Sequence, residues 1–109
     1  MKIENQVSSI EPSKKLKELG VKQDSVWYWE IETCKLEPYK GQQHIFLLNR
    51  VYNQKVSNDY DYEYYSAYTV AECLEILNEE VTIPKDVKNV ADFLAKKYLT
   101  TYPILQSKK

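Results

Sequence analysis

Residues 25–33, Ser-Val-Trp-Tyr-Trp-Glu-Ile-Glu-Thr, carry the pattern that decides the fold. Trp27, Trp29 and Ile31 fall on one side of an extended chain, and Tyr28, Glu30 and Glu32 on the other. This period-two alternation is that of a strand with one face toward a core. Residues 34–43 contain Pro38 and Gly41, which interrupt regular structure, and their length suits a loop between neighbouring antiparallel strands. A second strand is predicted over 44–52. Its centre, Ile45, Phe46, Leu47 and Leu48, is continuously apolar, as expected of a strand covered on both faces or lying mid-sheet. Residues 53–59 then turn the chain into a third strand over 60–68. There Tyr62, Tyr64, Ser66 and Tyr68 face one way, and Asp61, Glu63, Tyr65 and Ala67 the other. Trp27, Trp29, Ile45 and Leu47 become the core side of this sheet, and paired carboxylates such as Glu30 with Glu32 its solvated side.

Helices flank the strands in the sequence. On the C-terminal side, Thr69-Val70-Ala71-Glu72 matches a capping box, in which the threonine hydroxyl accepts from the Glu72 amide and the glutamate reaches back to the Thr69 amide. Val70, Cys73, Leu74 and Leu77 then form an apolar stripe, with Glu72, Glu75 and Glu79 toward water. Beyond Pro84 a further helix is predicted from 88 or 90 to 100, with Val90, Ala91, Leu94 and Tyr98 inward, Lys96 and Lys97 outward, and Pro103 as its stop. Residues 106–109 read as a frayed tail. On the N-terminal side, residues 9–19 read as a helix with Ser8 or Ser9 as N-cap, Pro12 in the first turn and Gly20 as C-cap. Leu16 and Leu19 form its apolar edge, and Lys14, Lys15 and Lys17 face away from that edge. The fold class is therefore α+β: a three-stranded antiparallel sheet packed with one N-terminal and two C-terminal helices, in a single domain over 1–109.

Composition agrees. A chain of 109 residues holds one core, and 43% apolar with 13% aromatic content is too rich for disorder. The longest apolar runs fall far short of a membrane span, and residues 1–15 lack the apolar centre of a signal peptide, so a cytoplasmic protein without a membrane partner is expected. Two distant cysteines, Cys34 and Cys73, suit reduced thiols used for packing. The net charge of -1 conceals a gradient. Residues 1–55 carry nine basic and seven acidic side chains, residues 56–84 seven acidic and no basic ones, and residues 85–109 six basic and two acidic ones.

Signatures of chemistry are sparse. Two glycines cannot build a phosphate-cradling loop, and one histidine with two scattered cysteines cannot complete a structural zinc site. No catalytic residue, metal or cofactor is therefore assigned. A Cys34 and His44 nucleophile–base pair is the enzymatic option. Lys14, Lys15, Lys17 and Lys22 beside Trp27 and Trp29 offer a stacking platform for nucleic acid, although a near-neutral chain lacks the charge footprint of a phosphate binder. The acidic block offers a third option, a mimic of nucleic-acid charge that inhibits a DNA-handling enzyme.

The tract 60–68 is the most unusual feature, because tyrosines and acids interleave there without a basic residue. Tyrosine forms strands well and is also enriched in protein interfaces, where neighbouring acids steer a basic partner. Tyr60, Tyr62, Glu63, Tyr64 and Tyr65 are accordingly the candidate interaction surface of a non-enzymatic module, with a protein partner that includes a second copy of the chain.

The stretches ENQVSSIEPSKKLKELGVKQDSVWYW at 4–29 and SAYTVAECLEIL at 66–77 resemble a family of small uncharacterised proteins encoded by phages and integrated mobile elements of gut anaerobes. The resemblance implies an accessory product that acts by binding a host or phage macromolecule, and it brings no catalytic residues.

Overall fold

One antiparallel sheet runs in the order β2-β1-β3, with β1 at Trp27–Cys34, β2 at Gln43–Asn49 and β3 at Tyr60–Ala67. The helices are α1, Ile10–Glu18, before the sheet, and α2, Val70–Leu77, and α3, Val90–Thr101, after it. A single 3-10 turn at Ile3–Asn5 precedes them. This is the expected α+β arrangement. The computed structural model describes residues 2–51 and 54–101, so Tyr52 and Asn53 at the ends of predicted segments, the Pro103 stop and the tail at 106–109 lie outside the described residues.

Local chemistry sets the helix ends. The capping box of α2 is complete: the Glu72 amide donates to Thr69 Oγ1, and the Thr69 amide donates to Glu72 Oε1 at 2.8 Å. Asn78 closes that helix in the left-handed conformation at φ 52°. Gly20, at φ 86°, does the same after α1, where a side chain would be strained. At the start of α3, Asn89 Oδ1 accepts from the Asp92 amide at 3.0 Å, while its Nδ2 donates to the Val7 carbonyl at 2.9 Å. Ser9 sits at the N-cap of α1, but its hydroxyl does not cap its own helix. Both its amide and its hydroxyl donate to Asp92 Oδ1, at 2.9 and 2.5 Å, so a residue of α3 closes the N-terminus of α1.

Two apolar clusters form among the described residues. One lies among the helices, where Leu16, Tyr68, Cys73, Leu77, Leu94 and Ala95 are buried together. The other lies between the sheet and the N-terminal segment, where Val7, Trp29 and Ala67 are buried against Ile3, Ile10, Trp27, Leu47 and Tyr65. Burial holds the Cys73 thiol protonated, its pKa pushed up to about 12, consistent with a packing role.

Several expectations need correction. β2 is an edge strand, not a central or doubly covered one: Ile45 and Phe46 are 48% and 45% exposed. An apolar run means burial only when something lies over it, and here β1 takes the middle position. Ile45 is therefore not on the core side in the sense that Trp29 is. On α2, Leu74 is exposed and Ile76 packs into the helical cluster in its place. On α1, Lys14 and Lys17, read as facing away from the Leu16 and Leu19 edge, are not left to solvent alone. They lie over the Tyr65 ring, at 5.7 and 5.0 Å from its centroid. Glu30 is not solvated; it is 1% exposed.

The Asp92 junction yields a prediction. Burial pushes this carboxyl up, but hydrogen bonds from Ser9 and Lys96 outweigh burial and leave it below the usual carboxylate value. With a depressed native pKa, the junction contributes fully above the unfolded value of about 3.9 and is lost as pH falls through the lower native value. Asp92→Asn should cost about 1.5–3 kcal/mol near neutral pH. Urea unfolding at about pH 7 and about pH 3 should show the gap between the two proteins closing in acid.

Candidate interaction surface

The sheet has two unlike faces. Register places Trp27, Trp29, Ile31 and Thr33 of β1 beside Ala67, Tyr65, Glu63 and Asp61 of β3. That face receives the N-terminal segment and α1. The other face sets Glu30, Glu32 and Cys34 beside Tyr64, Tyr62 and Tyr60 on one side, and Phe46 and His44 of β2 on the other. We call this the tyrosine face. Neither of the two apolar clusters involves its central residues. Connecting segments reach it instead, with Gln23 at one end and Lys55 near the middle.

At its centre is a buried carboxylate. Glu30 Oε2 accepts from the Tyr64 hydroxyl at 2.8 Å, and Oε1 accepts from Lys55 Nζ at 3.2 Å. The Lys55 amide donates to the same tyrosine oxygen at 3.3 Å. The ammonium also lies 5.7 Å from the centroid of Tyr62. An anion so enclosed requires these partners, since taking a charge out of water without them is costly. The hydrogen bond to Glu30 raises the Lys55 ammonium above its ordinary value. Burial raises the Tyr62 hydroxyl, with Glu32 adding to it, and burial likewise raises Tyr64, with Glu30 reinforcing it against the Lys55 amide. Both therefore remain hydroxyl donors at neutral pH.

The five residues named from sequence do not form one surface. Tyr60 and Tyr62 are half-buried on the tyrosine face, ring centroids 6.4 Å apart and tilted by 39°. Tyr64 shares that face but is 8% exposed and turned onto Glu30. Glu63 and Tyr65 are on the opposite face, hydrogen bonded to each other, with the Tyr65 hydroxyl pushed up to about 12 by burial and then by Glu63. Period-two geometry makes this division unavoidable. The accessible patch consists of Tyr60, Tyr62, Phe46, His44 and the partly exposed Glu32. Phe46, His44 and Glu32 were not visible as members from sequence, because an apolar run gives no face and cross-strand register is not a local pattern.

The other sequence candidates are dispersed or engaged. Trp29 is buried, and its indole N–H donates to the Ser8 carbonyl at 2.8 Å, so its ring is not a stacking platform. Lys17 Nζ donates to the Tyr64 carbonyl at 2.9 Å, and Lys22 pairs with Asp24. Cys34 and His44 do line one cleft of about 240 Å³ with Tyr39 and Tyr60. The thiol, however, donates to the Leu36 carbonyl at 3.5 Å, and His44 Nδ1 lies 3.5 Å from Glu32 Oε1. A larger cleft, about 470 Å³, is elsewhere, between the segment before β1 and α2, with Arg50, Glu72 and Glu75 on its walls. Among the described residues no group of three or more metal-ligating side chains occurs, and no helix is long and apolar enough to cross a membrane.

The Glu30 cluster is testable by itself. Tyr64→Phe removes one of two donors to a buried carboxylate and should cost about 1–3 kcal/mol. Glu30→Gln should cost a similar amount. In a double-mutant cycle read by urea unfolding, the two losses should be clearly less than additive.

No protein family model, curated protein or solved structure matches this chain.

Proposed function

We propose that this domain is a non-enzymatic protein-interaction module whose tyrosine face takes a basic segment of a protein partner. The observation that carries the reading is the one-sided covering of the sheet. The N-terminal segment and α1 lie on the tryptophan face, and the opposite face keeps Tyr60, Tyr62 and Phe46 partly accessible beside Glu32 and the Glu30 cluster. Tyrosines supply apolar area and hydroxyls at low conformational cost, which suits them to interfaces. Charge favours a cationic partner through Glu32, partly exposed beside Tyr62, whereas Asp61 and Glu63 lie on the opposite face. Lys55 supports the same chemistry from within the chain: its ammonium rests on a carboxylate beside a tyrosine ring, as a partner lysine would.

An NMR titration with a short oligolysine peptide tests the reading, with oligoglutamate as the control. Shifts are expected at Tyr60, Tyr62, His44 and Phe46, weakening as salt is added. They should be lost in the Tyr60→Ser/Tyr62→Ser double variant. Shifts that miss these residues, or that persist in the double variant, would sink the proposal.

A further inference from the structure

The two edges of the sheet are treated differently. β3 is guarded: Lys17 Nζ caps the outward carbonyl of Tyr64 at 2.9 Å, and Gln23 Oε1 accepts from the outward amide of Ser66 at 2.8 Å. Just beyond the strand, Val7 bridges to Thr69, and the Ser8 amide donates to the Tyr68 carbonyl at 2.8 Å. β2 has no such cover among the described residues. Its sequence, Gln-His-Ile-Phe-Leu-Leu-Asn, lacks the lysine, proline or acid that commonly blunts an edge, and Ile45 and Phe46 stand about half exposed.

The hydrogen-bond phase of β2 is fixed. The Cys34 amide donates to the Gln42 carbonyl at 2.9 Å, and the Arg50 amide to the Val26 carbonyl at 2.8 Å. Even-numbered residues of β2 therefore turn their backbone groups toward β1, and Gln43, Ile45, Leu47 and Asn49 turn theirs to the open edge.

We propose that β2 pairs antiparallel with β2 of a second copy, about a two-fold axis through Phe46, joining two sheets into one. The occupant follows from self-complementarity. A two-fold axis normal to the sheet keeps the faces matched only when it passes through a residue, and Phe46 is the position that pairs all 7 residues of the strand. In that register Gln43 meets Asn49 and Ile45 meets Leu47. All four have outward backbone groups, so each pair exchanges both of its hydrogen bonds. Phe46 meets its own copy at a non-hydrogen-bonded position, where facing side chains approach most closely, and aromatic pairs of this kind are favourable. His44 faces Leu48, and Arg50 faces Gln42, so no like charges oppose one another. This edge pairing shares Phe46 with the basic-segment site but rests on the outward backbone groups of β2, which that site does not use, so either can fail without the other.

Hydrogen exchange distinguishes the open edge from the paired one. Amides of His44, Phe46 and Leu48 are protected in any folded copy, whereas those of Ile45 and Leu47 gain protection only on pairing. Light scattering should show a dimer at high concentration, with Ile45 and Leu47 protection rising in step with dimer population. Phe46→Lys, which sets two cations face to face on the axis, should weaken the dimer by about tenfold or more. Val56→Lys, at a position 95% exposed outside the sheet, should leave it unchanged. Circular dichroism confirms that each variant is folded. A monomer at millimolar concentration overturns the proposal, and so does a dimer in which the Ile45 and Leu47 amides exchange freely.

Discussion

Every layer of this domain is tied to the others through Ser8. Its residue is fully buried, yet each polar group is used. The amide donates to the Tyr68 carbonyl, Oγ accepts from the Tyr68 amide at 2.9 Å, and the carbonyl accepts from the Trp29 indole at 2.8 Å. The hydroxyl is also shared with Ser13 of α1 at 2.8 Å. One residue thus joins the N-terminal segment, the first helix, the central strand and the exit from β3. Without its hydroxyl the Tyr68 amide would be buried and unpartnered, a loss of about 1–3 kcal/mol. Ser9 and Asp92 extend the same junction to α3. The first helix, short and lysine-rich, is held by these links and by Leu16 rather than by its own propensity.

Gathering the N-terminal segment and α1 onto one face of a three-stranded sheet leaves the second face to loops. That explains how a carboxylate comes to be buried at Glu30. Among the described residues neither apolar cluster includes Glu30, and Lys55, from the connection before β3, and Tyr64 supply its partners instead. Half-burial also explains the tyrosine content. A face covered by loops and open at its margins suits a side chain with an apolar ring and a polar tip, and tyrosine serves both conditions where phenylalanine or glutamate would serve one.

What could be read from sequence follows from where the information is stored. The strand at 25–33 and the helix opening at Thr69 were legible because alternation and the capping box are local patterns with one physical meaning each. The division of Tyr60, Tyr62 and Tyr64 from Glu63 and Tyr65 was implicit in the same alternation, although the candidate surface merged the two sets. The position of β2 was not legible, since four apolar residues in a row describe a buried central strand and an open edge equally well. The pairings of Glu30 with Lys55 and of Ser9 with Asp92 were invisible for another reason. They join residues 25 and 83 positions apart, and no periodicity links a strand to a loop or one helix start to another.

The guarded and open edges bear on the face between them. An axis normal to the sheet turns a second copy without inverting it, so β2 pairing would place two tyrosine faces on the same side of one continuous sheet. Phe46 belongs to that face and would lie at its centre, with Glu30 and Tyr64 of each copy in its own row and Glu32 and Tyr62 in the next row on the same face. A basic segment crossing the junction would then meet two acidic aromatic rows in opposite directions. Binding at one row would raise the effective concentration at the other, so modest contacts at each could act together. Covering of β3 by Lys17 and Gln23 would direct such an assembly to one edge, which would favour a closed dimer over an open chain of sheets.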